Sequence, residues 1–205
     1  AACKFIWGLA FHWYGDPRFE DWPDVAGQAC FENVRLVHDL RPDMHLIMTE
    51  ACQESVPKLG DWAAGERYAS NIIKDFNNGT EAWIDWNLVL DTDGGPNHAG
   101  NHCTAPVLAD LDSDELLFQP SYYFLGHFSR HVLPGAKRVA CGSSRDSLEA
   151  TAYVNVDGTL VTVVLNRSDE DIEFYLERGG VEPSVVETIV PAHSISTYSM
   201  MASQN

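Results

Sequence analysis

Apolar and polar positions alternate in two different ways along this chain, and the change falls near residue 134. Before it, apolar runs of strand length alternate with stretches in which apolar residues recur at helical spacing. The predicted strands are residues 4–14, 45–49 and 82–90, and the predicted helices are residues 27–40, 62–77 and 119–130. Such an alternation is typical of β/α units that build a parallel sheet.

Beyond Pro134-Gly135 the helical spacing disappears, and short β runs follow one another between turn signals. Asp157-Gly158 separates two such runs and predicts a hairpin over residues 148–165. Further strands are predicted at residues 172–176, 185–190 and 194–200. An all-β module of this kind is typical of a sandwich. We therefore predict two domains, residues 1–134 and residues 135–205.

Three β/α units cannot close a barrel, which needs eight of them and typically about 250 residues. The 205 residues of this chain hold three such units before the β module begins. The predicted fold class is therefore α/β plus all-β. It consists of the C-terminal part of a (β/α)8 TIM barrel, its last three β/α units, followed by a β-sandwich domain.

The predicted helix 62–77 has two distinct faces. Its apolar stripe consists of Tyr68, Ile72, Ile73 and Phe76, and its solvent-facing side is predicted to carry Glu66, Arg67 and Lys74. Gly79 is predicted to end the helix.

The charge balance narrows the range of partners. The chain has 30 acidic and 13 basic residues, which gives a formal net charge of −17. Such a surface repels phosphates and anionic headgroups, so nucleic acid and acidic membranes are poor partners, and solubility is the simpler interpretation. No apolar run approaches the roughly 20 residues of a membrane-spanning helix, so no transmembrane segment is predicted. Five cysteines without a Cys-x-x-Cys pair argue against structural zinc or a dense disulfide framework.

Glu50 is the candidate catalytic residue that the pattern itself singles out. It directly follows the apolar strand 45–49, and a carboxylate at the end of a buried strand is costly unless it is paired or used. In parallel β/α barrels the C-terminal ends of the strands carry the catalytic side chains. Glu50 is therefore a candidate nucleophile, and a strand-end carboxylate held in a salt bridge is the alternative.

Other side chains with useful chemistry lie at the ends of the same strands. Side chains two residues apart on a strand face the same way, so Cys52 shares a face with Glu50, and His12 shares one with Tyr14. Trp86 lies on the third predicted strand. Together they would line one cleft of the kind that binds sugars, in which carboxylates break the bond. Taken singly, His12 and Trp86 are more often packed core residues.

Two clusters raise the question of a metal ion. His98, His102 and Cys103 have a spacing that could hold zinc, but three ligands in one loop without a fourth are a weak signal. The alternating aspartates of residues 110–114 lack the glycine and the glutamate of a calcium loop and predict an acidic turn. We predict no metal and no cofactor.

Seven stretches, in order and with compatible spacing, make the chain resemble the glycoside hydrolases of family 30, in their glucosylceramidase branch. They are residues 10–14 (AFHWY), 49–52 (TEAC), 59–62 (LGDW), 85–88 (DWNL), 94–97 (GGPN), 125–129 (LGHFS) and 163–168 (VVLNRS). The resemblance implies a retaining β-glycosidase on a (β/α)8 barrel with an attached β-sandwich. The expected substrate is a β-glucoside or glycosphingolipid, most specifically glucosylceramide, which would be cleaved to glucose and ceramide.

The resemblance also implies roles for individual residues. Glu50 matches the family nucleophile, and Tyr14 matches a tyrosine that hydrogen-bonds it. His12, Trp86 and Asn97 match residues that shape the sugar pocket, and Cys52 lies beside that pocket. A peripheral contact with lipid surfaces and a lysosomal or secreted location are the corresponding expectations.

Departures from the family pattern leave alternatives open. His98 stands where the branch has an aromatic residue, and the loop after Cys52 is shorter, so a xylosidase, fucosidase or β-1,6-glucanase remains an alternative. The partner acid of the family would precede residue 1, and Asp85 is a poor substitute for it. The chain alone is therefore expected to be catalytically incomplete and to need the N-terminal part of the enzyme. A non-catalytic sugar-binding fragment is the alternative from another functional class.

Overall fold

The structure is a computed structural model that describes residues 2–14, 26–54, 57–180 and 183–201. The chain forms two compact units, residues 1–123 and residues 124–205, and each is described by itself. The predicted domain boundary after residue 134 stays a prediction.

The first unit contains most of the β/α part of the chain. In chain order its elements are a 3-10 helix (Ala2–Phe5), β1 (Gly8–His12), α1 (Ala26–Leu40), β2 (His45–Glu50), β3 (Gln53–Glu54), α2 (Trp62–Asn77), β4 (Ala82–Trp83), β5 (Val89–Asp91), β6 (Cys103–Thr104), β7 (Val107–Asp110), β8 (Glu115–Phe118) and α3 (Pro120–Ser129). Helix α3 crosses the division between the two units. The three helices begin and end within one residue of the predicted bounds.

A parallel sheet with the strand order β1-β2-β4 forms the core of this unit. Alternation along β2 buries Leu46 and Met48 and leaves its other face half-buried. Burying side chains of this size contributes roughly 1.5–3 kcal/mol each. The N–H groups of Ile84 and Trp86 donate to Met48 O (2.9 Å) and Ala51 O (2.8 Å). The chain beyond β4 therefore continues alongside β2 as far as its C-terminal end.

The prediction of a buried strand over residues 4–14 is wrong in two respects. Its first residues form the 3-10 helix, and the strand itself is only Gly8–His12. Several apolar side chains here are exposed, among them Trp7 (63%) and Leu9 (45%). The reason is that β1 is an edge strand, since β2 is its only neighbour in the described sheet. Trp7 stacks instead on the His45 ring, with centroids 3.9 Å apart.

The predicted strand 82–90 is also interrupted. Residues 84–88 are irregular and separate β4 from β5, because the Asp85 carboxylate accepts the N–H of Trp86 (2.9 Å) and turns the chain. Three strands that were not predicted follow in this unit, β6, β7 and β8, and β7 pairs in parallel with β5 and antiparallel with β8. The acidic turn between them is closed by Asp110 Oδ1, which accepts the N–H groups of Asp112 (3.0 Å) and Ser113 (3.3 Å).

Helix α2 has the predicted apolar stripe but not the predicted solvent-facing side. Tyr68 and Ile72 are buried. Glu66 is also buried, and the Arg67 side chain is only 15% exposed. Arg67 is drawn inward because it lies over the Trp13 ring (3.9 Å) and pairs with Glu54. The placement of Glu66 and Arg67 in solvent was therefore wrong.

The second unit is all-β after the end of α3. Its strands are β9 (Lys137–Val139), β10 (Leu148–Val154), β11 (Thr159–Asn166), β12 (Ile172–Arg178), β13 (Ser184–Val190) and β14 (Ser194–Met201). They form an antiparallel sheet of order β14-β11-β10-β9 and a separate hairpin β12-β13. The predicted hairpin at Asp157-Gly158 is confirmed as β10-β11. The α/β plus all-β fold class is confirmed.

A cleft of about 1020 Å³ lies in this second unit and is lined by residues of both of its sheets. It contains none of the candidate residues from the sequence analysis. Among the described residues, no helix is long and apolar enough to span a bilayer.

Candidate active site

Glu50 and His12 face each other at the C-terminal ends of two neighbouring parallel strands. They are register partners of β2 and β1, brought opposite each other by an irregularity between Phe11 and His12. His12 Nε2 lies 3.7 Å from Glu50 Oε2, which is longer than a hydrogen bond. The Glu50 side chain is 24% exposed and the His12 side chain 49%. The carboxylate is thus reachable from solvent while its backbone is held in the sheet.

Tyr14 and Cys52 form the next layer beside Glu50. Tyr14 Oη donates a hydrogen bond to Cys52 Sγ (3.2 Å), and its ring packs edge-on to the His12 ring with centroids 6.0 Å apart. Burial raises the pKa of Tyr14 well above its usual value, and the bond to Cys52 and the nearby Glu50 carboxylate act in the same direction. The phenol therefore remains a protonated hydrogen-bond donor next to the carboxylate.

The Cys52 thiol has a second neighbour that the sequence did not pair with it. Cys52 Sγ lies 3.3 Å from Cys103 Sγ, and both residues are buried in an apolar cluster with Leu90, Ala105 and Leu108. Burial raises the pKa of Cys52 to about 12, and the bond to Tyr14 opposes this only in part. Cys52 is accordingly a neutral thiol in the wall of the site, not an activated thiolate.

Trp86 lies just beyond β4 and presents an exposed indole. The backbone N–H of Trp86 donates to Ala51 O (2.8 Å) and to Asp85 Oδ1 (2.9 Å), and the residue is 57% exposed. Ala51 lies between Glu50 and Cys52 in sequence, so Trp86 is anchored to the segment that carries both. The alternative that Trp86 is a core residue is wrong.

Asp85 lies beneath Trp86 and faces the core. Its Oδ1 also accepts a hydrogen bond from Tyr68 Oη (3.0 Å), whereas Oδ2 is buried without a hydrogen-bond partner among the described residues. Burial raises the pKa of Asp85 to about 7, and the bonds from Tyr68 and Trp86 only partly offset this. The carboxyl group supports the Trp86 segment from inside.

Asn97 lies in the loop between β5 and β6. Asp91 Oδ1 accepts the N–H of Gly95 (2.8 Å) at the start of this loop, and Asn97 Oδ1 accepts the N–H of Asn101 (2.9 Å) within it. Contacts among the described residues join His12, Tyr14, Glu50, Cys52 and Trp86 into one group. The contacts of the Asn97 side chain lie in its own loop, so its place in that group stays a prediction.

The residues that were considered as zinc ligands do not converge. His98 and His102 are exposed, and His102 Nδ1 lies 2.6 Å from Asp93 O. Cys103 is buried against Cys52. In the described ranges, no three or more His, Cys, Asp or Glu side chains are placed to hold a metal ion.

An ion pair near the site escaped the sequence analysis. Arg67 Nη1 lies 3.3 Å from Glu54 Oε2 and donates to Gln53 Oε1 (2.9 Å), while its guanidinium covers the Trp13 ring. It fixes β3, the short strand after Cys52. The only signal in the sequence was a pair of opposite charges 13 residues apart, too far for a local rule. The Cys52–Cys103 contact likewise joins residues 51 positions apart.

Comparison with known proteins shows which family the chain resembles over nearly its whole length. The model of the glycosyl hydrolase family 30 TIM-barrel domain matches residues 1–132, and that of the family 30 beta sandwich domain matches residues 135–198. The lysosomal acid glucosylceramidase of Mus musculus is 36% identical in an alignment 206 positions long that covers 96% of this chain. The crystal structure of SrfJ from Salmonella typhimurium superposes with a TM-score of 0.84 at 32% identity over 98% of this chain and 42% of its own.

A third relative is named for a different activity. The endo-beta1,6-glucanase BT3312 has a TM-score of 0.78 and 26% identity, over 98% of this chain and 42% of its own. This chain spans only 37% of the length of the mouse protein and matches its C-terminal portion. The barrel and sandwich models together account for nearly the whole chain. This chain therefore belongs to glycosyl hydrolase family 30.

Proposed function

We propose that this chain supplies the nucleophile side of a retaining β-glycoside hydrolase that cleaves β-glucosyl linkages, with glucosylceramide as the substrate. The observation that carries the proposal is the position of Glu50 at the C-terminal end of β2, opposite His12 and partly open to solvent. In parallel β/α barrels this end of the sheet is where catalytic side chains stand. A carboxylate is also the group that retaining glycosidases use to attack the sugar.

In the proposed reaction a Glu50 carboxylate oxygen attacks the anomeric carbon of the sugar. The bond from that carbon to the leaving oxygen breaks, an acid protonates this oxygen, and a glycosyl ester of Glu50 forms. The same acid, now a base, then takes a proton from water, and the water oxygen replaces Glu50 on the anomeric carbon. Configuration is retained because the two displacements each invert it.

The neighbours of Glu50 fit supporting roles in that reaction. Tyr14 is a neutral phenol near the carboxylate, and its O–H, which is donated to Cys52 Sγ in this structure, would turn to Glu50 in the reaction and help to hold it ionised and oriented. The exposed indole of Trp86 offers an aromatic face to the C–H surface of a sugar ring. His12 provides a hydrogen-bonding side chain at the rim, and we assign Asn97 to the same pocket by its family motif.

The acid/base is proposed to lie outside these 205 residues. Asp85 follows β4, and its carboxyl group accepts hydrogen bonds from Tyr68 and from the Trp86 backbone. The carboxylate of Asp91 is engaged by the loop N–H groups of Asp93 and Gly95. The chain would accordingly act together with the remaining part of the enzyme.

The choice of substrate rests on the relatives. Similarity to the mouse lysosomal acid glucosylceramidase supports glucosylceramide as the substrate. Similarity to the endo-beta1,6-glucanase BT3312 supports a β-1,6-glucan as the second candidate. A panel of chromogenic β-glycosides, with glucosylceramide and a β-1,6-glucan as the natural substrates, separates the two when it is applied to the complete enzyme.

The nucleophile is tested by covalent trapping. The complete enzyme is treated with a 2-deoxy-2-fluoro-β-glucoside, which forms a long-lived glycosyl ester, and the labelled peptide is mapped by mass spectrometry. The adduct is expected on Glu50 and is expected to be lost in Glu50→Gln. Glu54→Gln is the matched control, since this carboxylate four residues away pairs with Arg67 and should not be needed for labelling. An adduct on any other residue overturns the assignment.

A further inference from the structure

The thiols of Cys52 and Cys103 are in direct contact beside the candidate nucleophile. Their sulfur atoms are 3.3 Å apart. A disulfide bond has a length of about 2.05 Å, so the two atoms need to approach by only about 1.2 Å. The two residues are free cysteines in the structure.

Backbone hydrogen bonds hold both cysteines in this arrangement. Cys52 directly precedes β3, and Cys103 begins β6, which pairs antiparallel with β3 so that Cys103 lies opposite Glu54. The Cys103 N–H also donates to Gly94 O (3.1 Å). The approach of the sulfur atoms is therefore built into paired strands and does not depend on a mobile side chain at the surface.

The environment of the pair contains little that would engage a thiol otherwise. The surrounding side chains of Leu90, Ala105 and Leu108 are apolar. Tyr14 Oη donates to Cys52 Sγ, Cys103 Sγ lies 4.0 Å from Asn101 O, and the Glu54 carboxylate raises the pKa of Cys52. The other sulfur, at 3.3 Å, is thus a direct contact of each thiol.

We propose that Cys52 and Cys103 form an oxidative modification site, at which a hydroperoxide of water-like size converts the two thiols into a disulfide. The sulfur of one thiol attacks the peroxide and the O–O bond breaks, the thiol proton passes to the departing oxygen, and a sulfenic acid and one water are formed. The second sulfur then attacks the sulfenic sulfur, the S–S bond forms and the hydroxyl leaves as water. Overall, two thiols are oxidised and one hydrogen peroxide is reduced to two waters.

The disulfide would act directly on the candidate active site. Cys52 lies two residues after Glu50, and Cys103 ends the loop that carries Asn97, so the bond ties the nucleophile segment to this loop. It also changes the acceptor of the Tyr14 hydroxyl from a thiol to a disulfide sulfur. The oxidised and reduced forms therefore differ next to Glu50.

The modification is tested by thiol mapping on the purified protein in native buffer. The protein is treated with hydrogen peroxide, unreacted thiols are alkylated after unfolding, and the peptides are identified by mass spectrometry. We expect a cross-linked pair of peptides that contain Cys52 and Cys103, 2 Da lighter than the two thiol peptides together and released by dithiothreitol. Cys141, a half-buried thiol in the second unit, is the internal control and should stay alkylatable at the same dose.

The variant Cys103→Ser tests the first oxidation step without the need to detect a cross-link. In Cys103→Ser the second sulfur is absent, so Cys52 is expected to stop at the sulfenic acid, which dimedone traps. Cys141→Ser should leave the cross-link unchanged. The proposal is overturned if Cys52 and Cys103 remain fully alkylatable while Cys141 is oxidised, or if either forms its bond with Cys3 or Cys30. These outcomes do not depend on glycosidase activity.

Discussion

The Tyr68 hydroxyl donates a hydrogen bond to Asp85 Oδ1 at 3.0 Å and thereby links helix α2 to the turn that carries Trp86. The same oxygen accepts the Trp86 N–H at 2.9 Å. One carboxyl group thus lies both where β4 ends and where the backbone of Trp86 is anchored. Its other oxygen, Oδ2, is buried without a hydrogen-bond partner among the described residues.

The raised pKa of Asp85 predicts a pH dependence of stability. Burial raises this pKa from 3.8 to about 7 in the folded protein. Between these two values the folded state keeps a proton that the unfolded state has lost, so stability falls as the pH rises from about 4 to about 7. The full contribution of such a shift is on the order of 4 kcal/mol. Chemical denaturation at several pH values measures it.

Substitution of Asp85 isolates this contribution. Asp85→Asn resembles the protonated acid and should reduce the dependence between pH 4 and 7, leaving a slope of similar size from Asp75, whose pKa burial also raises to about 7. Tyr68→Phe removes the donor that lowers the Asp85 pKa, so it should extend the fall in stability to higher pH. An unchanged slope in Asp85→Asn would contradict the assignment.

From the contacts of Arg67 we predict that this residue couples helix α2 to strand β3 and to Trp13. Its removal in Arg67→Met leaves Glu54 half-buried without its cation and takes the guanidinium from the Trp13 ring. We expect a loss of about 2 kcal/mol of unfolding free energy, less than the 3–5 kcal/mol of a fully buried pair because both groups retain some exposure. Urea denaturation measures the loss.

A double-mutant cycle separates the ion pair from the packing of Arg67. Adding Glu54→Gln to Arg67→Met removes the carboxylate that was left behind, so the double variant should regain part of the lost stability. If the double variant is as unstable as the sum of the two single variants, the charges do not interact and the prediction fails.

Local sequence patterns could predict the elements but not the contacts that bind the site together. Helix α2 and the β10-β11 hairpin arise from spacing over a few residues, and periodicity alone found them. At the break between β4 and β5, the Asp85 carboxylate that accepts the Trp86 N–H is itself bonded by Tyr68, 17 residues away in sequence, where no local rule applies.

In the candidate site, too, some residues could be found from local sequence patterns and others could not. Glu50 could be found because a carboxylate ending an apolar strand conflicts with burial, and this conflict is visible in the sequence itself. The inward position of Arg67 could not be found, since helical spacing describes one helix and ignores the aromatic ring of Trp13 that draws the guanidinium in. Family motifs supplied what spacing lacked for Trp86 and Asn97.

We predict that a side chain at Gly79, just after α2, destabilises the protein. Its φ is +100°, and a Cβ there would lie 2.6 Å from Cγ of His38. Gly79→Ala should therefore cost about 1–3 kcal/mol, because the left-handed conformation and the close approach both disfavour a side chain. Gly126, within α3, has nothing within 4 Å of such a Cβ. Gly126→Ala should stabilise the helix by about 0.5–1 kcal/mol, and thermal denaturation of both variants checks the opposite signs.

The exposed indole of Trp86 predicts a loss of sugar binding without a loss of stability. Since Trp86 is 57% exposed and its anchoring hydrogen bond comes from the backbone N–H, Trp86→Ala should leave the unfolding free energy within about 0.5 kcal/mol. It should weaken the binding of a glucose-type competitive inhibitor to the complete enzyme roughly tenfold or more, as expected for the loss of a stacking partner worth about 1.5 kcal/mol.

Two further variants show whether that loss comes from the aromatic face. Trp86→Phe keeps a ring and should recover part of the affinity. Trp62→Ala removes an indole of similar exposure at the start of α2 and should leave the inhibition constant unchanged. Equal weakening in Trp62→Ala and Trp86→Ala would mean that the effect is not local to Trp86. Equal affinity in Trp86→Ala and the unmodified enzyme would remove Trp86 from the pocket, because an indole that stacks on the sugar cannot be deleted without a cost in binding.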